Sequence, residues 1–267
     1  IKSFLSYLPQ NIYELSEKID CNDPIDRKEE ELLSIIPKDR KRSYEMRDIV
    51  KLVFDKDSFF EMTKFFGKGI ITGFARINGF PVAIFANDSN FYAGSMSAEG
   101  AQKTSRFIRL CDTFRIPIVS LVDEPGFLIG PDAERAGTIL HGTEAVLATT
   151  ESKVPWSTIM IRKSFGVAAA AHYGPDGYVL AWPSAESGPL PLEGGVAVAF
   201  KKEIASAKNP EAKRKELEEK MAKNQSPFPR AESFSVHEII DPRETRKYIA
   251  LWAERIQSQL KASLMNR

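Results

Sequence analysis

Two stretches of the chain decide its fold: IPIVSLVDEPGFLIG, residues 116–130, and WSTIMIRKSFGVAAA, residues 156–170. In each of them an apolar run of strand length leads into a turn that contains small residues. An apolar run without alternation is typical of a strand that is buried on both faces of a sheet. We therefore predict one strand over Ile116–Val122 and a second over Trp156–Ile161, each followed by a turn whose backbone N–H groups are accessible.

The segments before and between these strands have the periodicity of helices. Ser97–Phe114 fits an amphipathic helix that the Ser97 side chain can cap, and Asp132–Thr150 is predicted to form a second helix. Strands that alternate with helices are typical of an α/β fold with a parallel sheet and right-handed crossovers. In such a sheet both turns lie at the carboxyl ends of the strands, where ligands usually bind.

Further elements are predicted on both sides of this unit. Residues 1–46 look like an extended arm with one short helix, Lys28–Ile36, so we divide the chain into an arm, 1–46, and a domain, 47–267. The dipeptide Asn78-Gly79 is the best hairpin signal in the chain. The other predicted elements are strands at Ile70–Ile77, Pro81–Asn87 and Tyr178–Trp182, and helices at Arg47–Phe54, Val167–His172, Gly194–Ala207, Pro210–Lys223 and Asp241–Asn266.

The two turns carry the main candidate chemistry. Backbone N–H groups from two neighbouring strand ends can point at one position, where they stabilise an oxyanion without a reactive side chain. Each turn taken alone is also compatible with tight packing between a strand and a helix. Arg162 and Lys163 follow the second predicted strand and either hold an anionic group or form a structural salt bridge.

Other kinds of catalytic site have little support in the sequence. Ser164 lacks the GxSxG pattern, so a serine hydrolase is poorly supported. The three histidines lie too far apart in sequence to suggest a metal site, and we expect none. Glu124 and Glu134 are the carboxylates nearest the two turns, and an enzyme that needs a general acid or base would have to use one of them.

The composition is that of an ordinary globular protein: 43% of the residues are hydrophobic, 27% are charged, and the net charge is +1. This balance gives no reason to expect nucleic acid or a membrane as a partner. Cys21 and Cys111 form no disulfide framework, which favours a reduced compartment. The chain begins with Ile1 rather than methionine, so we expect a piece of a longer polypeptide.

Several motifs together resemble one family, the carboxyltransferase subunits of biotin-dependent acyl-CoA carboxylases of the propionyl-, acetyl- and methylcrotonyl-CoA type, in their C-terminal half. The resemblance covers nearly the whole chain. It rests on Leu5–Pro9, Tyr44–Val50, Ala101–Lys103, Arg106–Asp112, Ile116-Pro117, Leu121–Asp123, Pro125–Phe127, Gly130–Arg135, Val154-Pro155, Arg162-Lys163 and Leu180–Pro183.

The resemblance implies a crotonase-like fold, a twisted ββα superhelix, for residues 47–267. It also implies that this chain supplies the biotin side of an active site shared between subunits, while an N-terminal half supplies most of the CoA site. The implied cofactor is biotin, as carboxybiotin on a partner carrier protein, and the implied substrate is an acyl-CoA. The implied partners are the N-terminal carboxyltransferase half, a biotin carboxylase or biotin carrier subunit, and further copies of the chain, in the cytoplasm or, in a eukaryote, the mitochondrial matrix.

Carried over by position, the backbone N–H groups of Val167 and Ala168 would hold the ureido oxygen of carboxybiotin. Ala170 would sit where family members carry a residue that influences the choice of acyl chain. Three further residues would line the same pocket: Gly126, Phe127 and Gly166.

The turn departs from the family pattern, which is usually Gly-Gly-Ala-Tyr or Gly-Leu-Gly-Ala where this chain has Gly166-Val167-Ala168-Ala169. An N–H donor survives any substitution other than proline, so the donors remain while the added Cβ atoms narrow the turn. Two other functions therefore stay open. One is another CoA-thioester enzyme of the same fold, a hydratase, isomerase or decarboxylase, and the other is a non-catalytic assembly subunit.

Overall fold

The structure is a computed structural model that describes residues 1–265, apart from the side chain of Glu193. In this part of the chain the strands are β1 Phe60–Met62, β2 Ile70–Ile77, β3 Phe80–Asn87, β4 Ile118–Glu124, β5 Trp156–Phe165, β6 Tyr178–Ala181, β7 Glu186–Gly188 and β8 Glu238–Ile239. The α-helices are α1 Lys2–Leu5, α2 Met46–Val53, α3 Ala98–Phe114, α4 Pro131–Arg135, α5 Thr138–Thr150, α6 Gly166–Ala169, α7 Leu192–Ala199, α8 Lys201–Ser206, α9 Pro210–Gln225, α10 Pro227–Glu232, α11 Thr245–Arg255 and α12 Gln257–Met265. Short 3-10 helices cover Glu30–Leu33, Tyr92–Gly94, Ala170–His172 and Pro242–Glu244.

The strands form one mixed sheet in the order β1-β2-β3-β4-β5-β6-β8, with β7 paired to the last part of β5. β1, β2 and β3 are antiparallel neighbours, and the Asn78-Gly79 hairpin joins β2 to β3 with positive φ at both turn residues. From β3 onwards the neighbours are parallel. The predicted parallel sheet of an α/β fold is therefore confirmed, with a hairpin at one edge.

Two apolar clusters cover the two faces of this sheet, because side chains alternate between the faces along each strand. On β3, Ile84 packs with α2 and α11 on one face, while Phe85 packs with α3 and α5 on the other. The predicted start of α3 is confirmed, since the Ser97 hydroxyl accepts a hydrogen bond from the Gly100 N–H at 3.1 Å. No helix within residues 1–265 is both long and apolar enough to cross a membrane.

Several predicted boundaries were wrong. β4 ends at Glu124, two residues beyond the predicted end at Val122. β5 continues past the predicted end at Ile161 to Phe165, because β7 pairs with its last residues. The predicted Asp132–Thr150 helix is divided between α4 and α5 near Gly137, whose φ of +74° interrupts the helix. The predicted Gly194–Ala207 helix is likewise divided at Phe200, and α10 was missed. Asn266, the predicted last residue of the final helix, lies outside the described residues.

Residues 1–46 contain little regular structure but lie against the sheet. Tyr7, Leu32 and Tyr44 are buried in its two apolar clusters. The Arg76 guanidinium on β2 donates hydrogen bonds to the carbonyl oxygens of Ser6 and Glu17. These residues are therefore held against the sheet by their side chains and by their main-chain carbonyls.

Candidate functional site

The two turns singled out in the sequence lie side by side in the structure. β4 and β5 are parallel neighbours, and Glu124, at the end of β4, is in register with Ser164 of β5. The turn after β4 and the turn after β5 therefore leave the sheet at the same edge, as the sequence predicts for neighbouring parallel strands.

The turn after β4 is open around Gly126. Its φ is +132°, and a Cβ atom there would meet no atom within 4 Å, so the backbone faces free space. The Phe127 ring packs inward instead: a Cβ atom on Gly142 of α5 would lie 2.4 Å from Phe127 Cε1. Gly126 thus presents backbone at this edge, while Phe127 fixes the turn against α5.

The turn after β5 has free backbone donors. Gly166 has a φ of +65° and starts α6, whose first N–H groups have no acceptor within the helix. Across the described residues, the N–H groups of Val167 and Ala168 have no acceptor elsewhere in the chain either. Ala168 is completely buried, whereas Val167 is 70% exposed, so solvent reaches the turn at Val167. These donors are what an oxyanion site requires.

A buried ion pair fixes β4 and β5 just before the turns. The Arg162 guanidinium binds both carboxylate oxygens of Asp123, with Nε–Oδ1 at 3.1 Å and Nη2–Oδ2 at 2.8 Å. Asp123 also accepts the Lys163 N–H at 3.1 Å. Of the two predicted roles for Arg162, the structural salt bridge is confirmed. Because its guanidinium is bound to Asp123, Arg162 is not available to hold an external anion.

Glu124 follows Asp123 and is completely buried. Its Oε1 accepts the N–H groups of Gly126 at 3.0 Å and of Met96 at 3.3 Å, and its Oε2 accepts from Asn87 Nδ2 at 2.9 Å. Glu124 therefore holds the Gly126 turn from beneath. Because it has no exposed surface, it cannot touch a substrate, and Glu134 on α4 points into solvent instead.

A buried histidine faces Glu124. His172 Nε2 lies 3.7 Å from Glu124 Oε2 and has no hydrogen-bond partner among the described residues, while its Nδ1 lies 2.8 Å from the Ser120 hydroxyl. Burial raises the pKa of Glu124 to about 8 and lowers the pKa of His172 to about 3. Although the two groups are within ion-pair distance, burial keeps both neutral near pH 7.

These pKa shifts predict how stability varies with pH. Between about pH 6.5 and 8 the folded protein keeps a proton on Glu124 that the unfolded chain has lost, so the free energy of unfolding should fall as the pH rises. Between about pH 4.5 and 6.5 the uptake of a proton by His172 in the unfolded chain should cancel this slope. The fall should be roughly 1 kcal/mol per pH unit, measured by urea unfolding at several pH values.

Glu124→Gln is the matched control for this pH dependence. Glutamine keeps an oxygen that accepts the Gly126 and Met96 N–H groups, but it cannot titrate. We expect the slope between pH 6.5 and 8 to disappear in this variant. A variant whose slope equals that of the wild type would show that Glu124 is not the titrating group.

A cavity of about 310 Å³ adjoins the turn after β5. Backbone and small side chains of Gly166, Ala169 and Ala170 form one side of it. Its polar lining comes from β5, β7, α10 and the segments after α6 and α10: Ser164, Tyr173, Ser187, Arg230 and Ser235. Of these only Ser164 was considered in the sequence, because the others are brought to this turn by the fold. Ser164 binds the Tyr173 hydroxyl at 2.7 Å and no histidine, so a serine nucleophile has no base here.

Two other features lie away from the turns. A larger cavity, about 440 Å³, is lined by Trp156 and Tyr178, which begin β5 and β6, so it lies at the opposite ends of the strands. Within residues 1–265 no group of histidine, cysteine, aspartate and glutamate side chains could hold a metal ion.

Comparison with known proteins places the chain in one family. Residues 1–266 match the model of the carboxyl transferase domain. The carboxyltransferase subunit of propionyl-CoA carboxylase from Haloferax mediterranei is 37% identical over 98% of the chain and 52% of its own length. The alpha subunit of methylmalonyl-CoA decarboxylase from Propionigenium modestum is 35% identical over 93% of the chain and 49% of its own length.

A crystal structure of transcarboxylase 12S, described as a hexamer assembly with methylmalonyl-coenzyme A bound, superposes with a TM-score of 0.91 at 36% identity. The superposition covers 96% of this chain and 50% of the other. The predicted α/β crotonase-like fold is therefore confirmed. The chain spans about half the length of the relatives it matches.

Proposed function

The chain belongs to the carboxyl transferase family, and from this premise we propose that it supplies the biotin side of carboxyl transfer to the α-carbon of an acyl-CoA. The observation that carries the proposal is the pair of N–H groups at Val167 and Ala168, which have no acceptor in the described part of the chain. Val167 is 70% exposed and Ala168 is buried next to it, on a turn at the edge where parallel sheets usually bind ligands.

The residues of the turn fit a ureido group. A ureido oxygen accepts hydrogen bonds, and the turn offers two backbone donors beside side chains no larger than valine. Carboxybiotin, when bound, would supply the carboxyl group as CO2. Val167 and Ala168 would donate to the ureido oxygen and stabilise negative charge that develops there. Gly166 and Gly126 would allow close approach, and Phe127 would keep the Gly126 turn in place.

The rest of the active site is proposed to come from outside these 267 residues. The chain covers about half of each relative, so an N-terminal half would supply the CoA site and a carrier protein would supply biotin. Residues 1–46 would join the two halves, and 47–267 would form the C-terminal domain with Ala170 influencing acyl choice. Copies of the chain would associate, in the cytoplasm or, in a eukaryote, the mitochondrial matrix; the free cysteines Cys21 and Cys111 are compatible with either.

Decarboxylation of a CoA thioester is the second candidate, favoured by the similarity to the methylmalonyl-CoA decarboxylase subunit. Two parallel assays separate the candidates: the chain and an N-terminal half from a relative are mixed either with acyl-CoA and isotopically labelled carboxybiotin, or with a malonyl-type CoA thioester. Label in the acyl-CoA supports carboxyl transfer. Release of CO2 from a malonyl-type thioester without forward transfer supports decarboxylation, and no turnover in either direction supports an assembly subunit.

A further inference from the structure

We propose that the cavity beside Gly166 is a subsite for a carboxylate at the far end of the acyl group, and that Arg230 selects it. The inference rests on the proposed function, since it names a substrate class for that site: acyl-CoA thioesters whose acyl chain ends in a carboxylate. In the cavity lining, one guanidinium, that of Arg230, and four hydroxyl groups surround an open space of about 310 Å³.

Arg230 has donor capacity to spare. Its Nε donates to the Ser187 hydroxyl at 3.1 Å, and no carboxylate of the described residues lies within salt-bridge distance of it. A guanidinium has five N–H donors in a planar fork that matches the two oxygens of a carboxylate. A half-buried arginine with a hydroxyl as its side-chain partner is therefore able to bind an external carboxylate.

The backbone around Arg230 fixes its position. The Arg230 carbonyl accepts the N–H groups of Ser235 at 2.9 Å and Val236 at 3.2 Å, so the chain turns back at this point. Ser187 is held by the pairing of β7 with β5, which sets it in register with Ser164. The guanidinium therefore lies on a lining that the sheet itself positions.

The hydroxyl groups of the lining add neutral donors. Ser164 and Tyr173 are hydrogen-bonded to each other, and burial raises the pKa of Tyr173 to about 12, so its phenol stays protonated at neutral pH. Glu186, next to Ser187, does not neutralise the cavity: neighbouring side chains of a strand point to opposite faces, and Glu186 pairs with Arg40. The cavity is thus positive on balance.

The apolar part of the lining indicates what carries the carboxylate. Met160, Ala169 and Val236 add methyl and methylene surface to this lining. Such a lining suits a short methylene chain with a charged end better than a small inorganic anion, which would contact only the polar groups. The acyl chain of a dicarboxylic CoA thioester has this chemistry, and a free dicarboxylate shares it, so both sources must be tested.

The first arm of the test measures binding to this chain alone, with glutarate as the probe, by calorimetry or by NMR titration. We expect Arg230→Gln to weaken glutarate binding by about 10- to 100-fold, the range of one lost charge-assisted interaction. The affinity of Arg230→Lys for glutarate should lie between that of the wild type and that of Arg230→Gln. The control is Arg214→Gln, which changes an exposed arginine of α9 that pairs with Glu218, and it should bind glutarate like the wild type. Equal affinity in the wild type and Arg230→Gln would overturn the subsite.

The second arm compares glutaryl-CoA with butyryl-CoA as acceptors in the enzyme assembled from this chain and its N-terminal half. We expect the wild type to prefer glutaryl-CoA in kcat/KM and Arg230→Gln to lose at least about tenfold of that preference. Glutarate binding without any preference between the thioesters would identify a free dicarboxylate as the ligand and overturn the acyl assignment. Failure of the proposed function would give no transfer to either thioester, and the glutarate arm would still decide the subsite.

Discussion

Ala168→Pro is expected to lower carboxyl transfer by about 100- to 1000-fold, the usual effect of removing one oxyanion donor. Proline has no N–H, so one of the two proposed donors is lost, and its ring also disfavours helical geometry at Val167. The fold should persist, because Ala168 lies in the first turn of α6, where no intrahelical hydrogen bond depends on its N–H. The measurement is kcat with acyl-CoA in the assembled enzyme, beside circular dichroism and the unfolding midpoint.

Ala168→Gly is the matched control for the proline variant. Glycine keeps the N–H and removes the Cβ that packs in the buried cluster around α3 and α5. The variant therefore tests the contribution of packing while the N–H donor stays in place. We expect it to retain most of the activity with a modest loss of stability. Equal losses of kcat in the glycine and proline variants would show that packing of Ala168, rather than its N–H group, supports turnover.

The chain by itself is expected to fold but to give no detectable carboxylation of acyl-CoA. If it holds only the biotin side, it cannot bring the two reactants together, and a well-oriented pair is worth about 7–11 kcal/mol of the barrier. Addition of an N-terminal half should restore turnover, measured as label transferred from free carboxybiotin to acyl-CoA. A cooperative unfolding transition of the chain alone should be recorded as a control. It would show that the chain is folded and that the lack of activity is not caused by unfolding.

Robust turnover by the chain alone would contradict this division of labour, because both half-sites would then be present in it. Size-exclusion chromatography with light scattering belongs in the same experiment. The restored activity should elute with an assembly that contains both halves. Activity that elutes with this chain alone would also contradict the division of labour between the two halves.

Local patterns in the sequence predicted the elements that position the site. Ser97 caps α3, Asn78-Gly79 forms the hairpin, and the apolar runs of β4 and β5 form parallel neighbours. Each of these features depends on residues that are close in sequence or on burial of a whole strand. These features were enough to predict that the two turns lie at the same edge of the sheet.

Features that depend on distant contacts were not predictable. β5 extends to Phe165 because β7 pairs with it, and this pairing brings Ser187 beside Ser164. No spacing of residues in the sequence predicts that Arg230, on α10, lines the same cavity. The contact between Glu124 and His172 likewise joins segments that only the fold brings together. Sequence reasoning could place Glu124 near the turn, but its complete burial required the structure.

The most direct test of the central claim is a structure of the carboxyltransferase assembled from this chain and its N-terminal half, determined with biotin bound. We predict that the ureido oxygen lies within about 2.7–3.1 Å of the backbone nitrogen atoms of both Val167 and Ala168. A ureido oxygen bound elsewhere, with these two N–H groups facing solvent or another protein group, would contradict it.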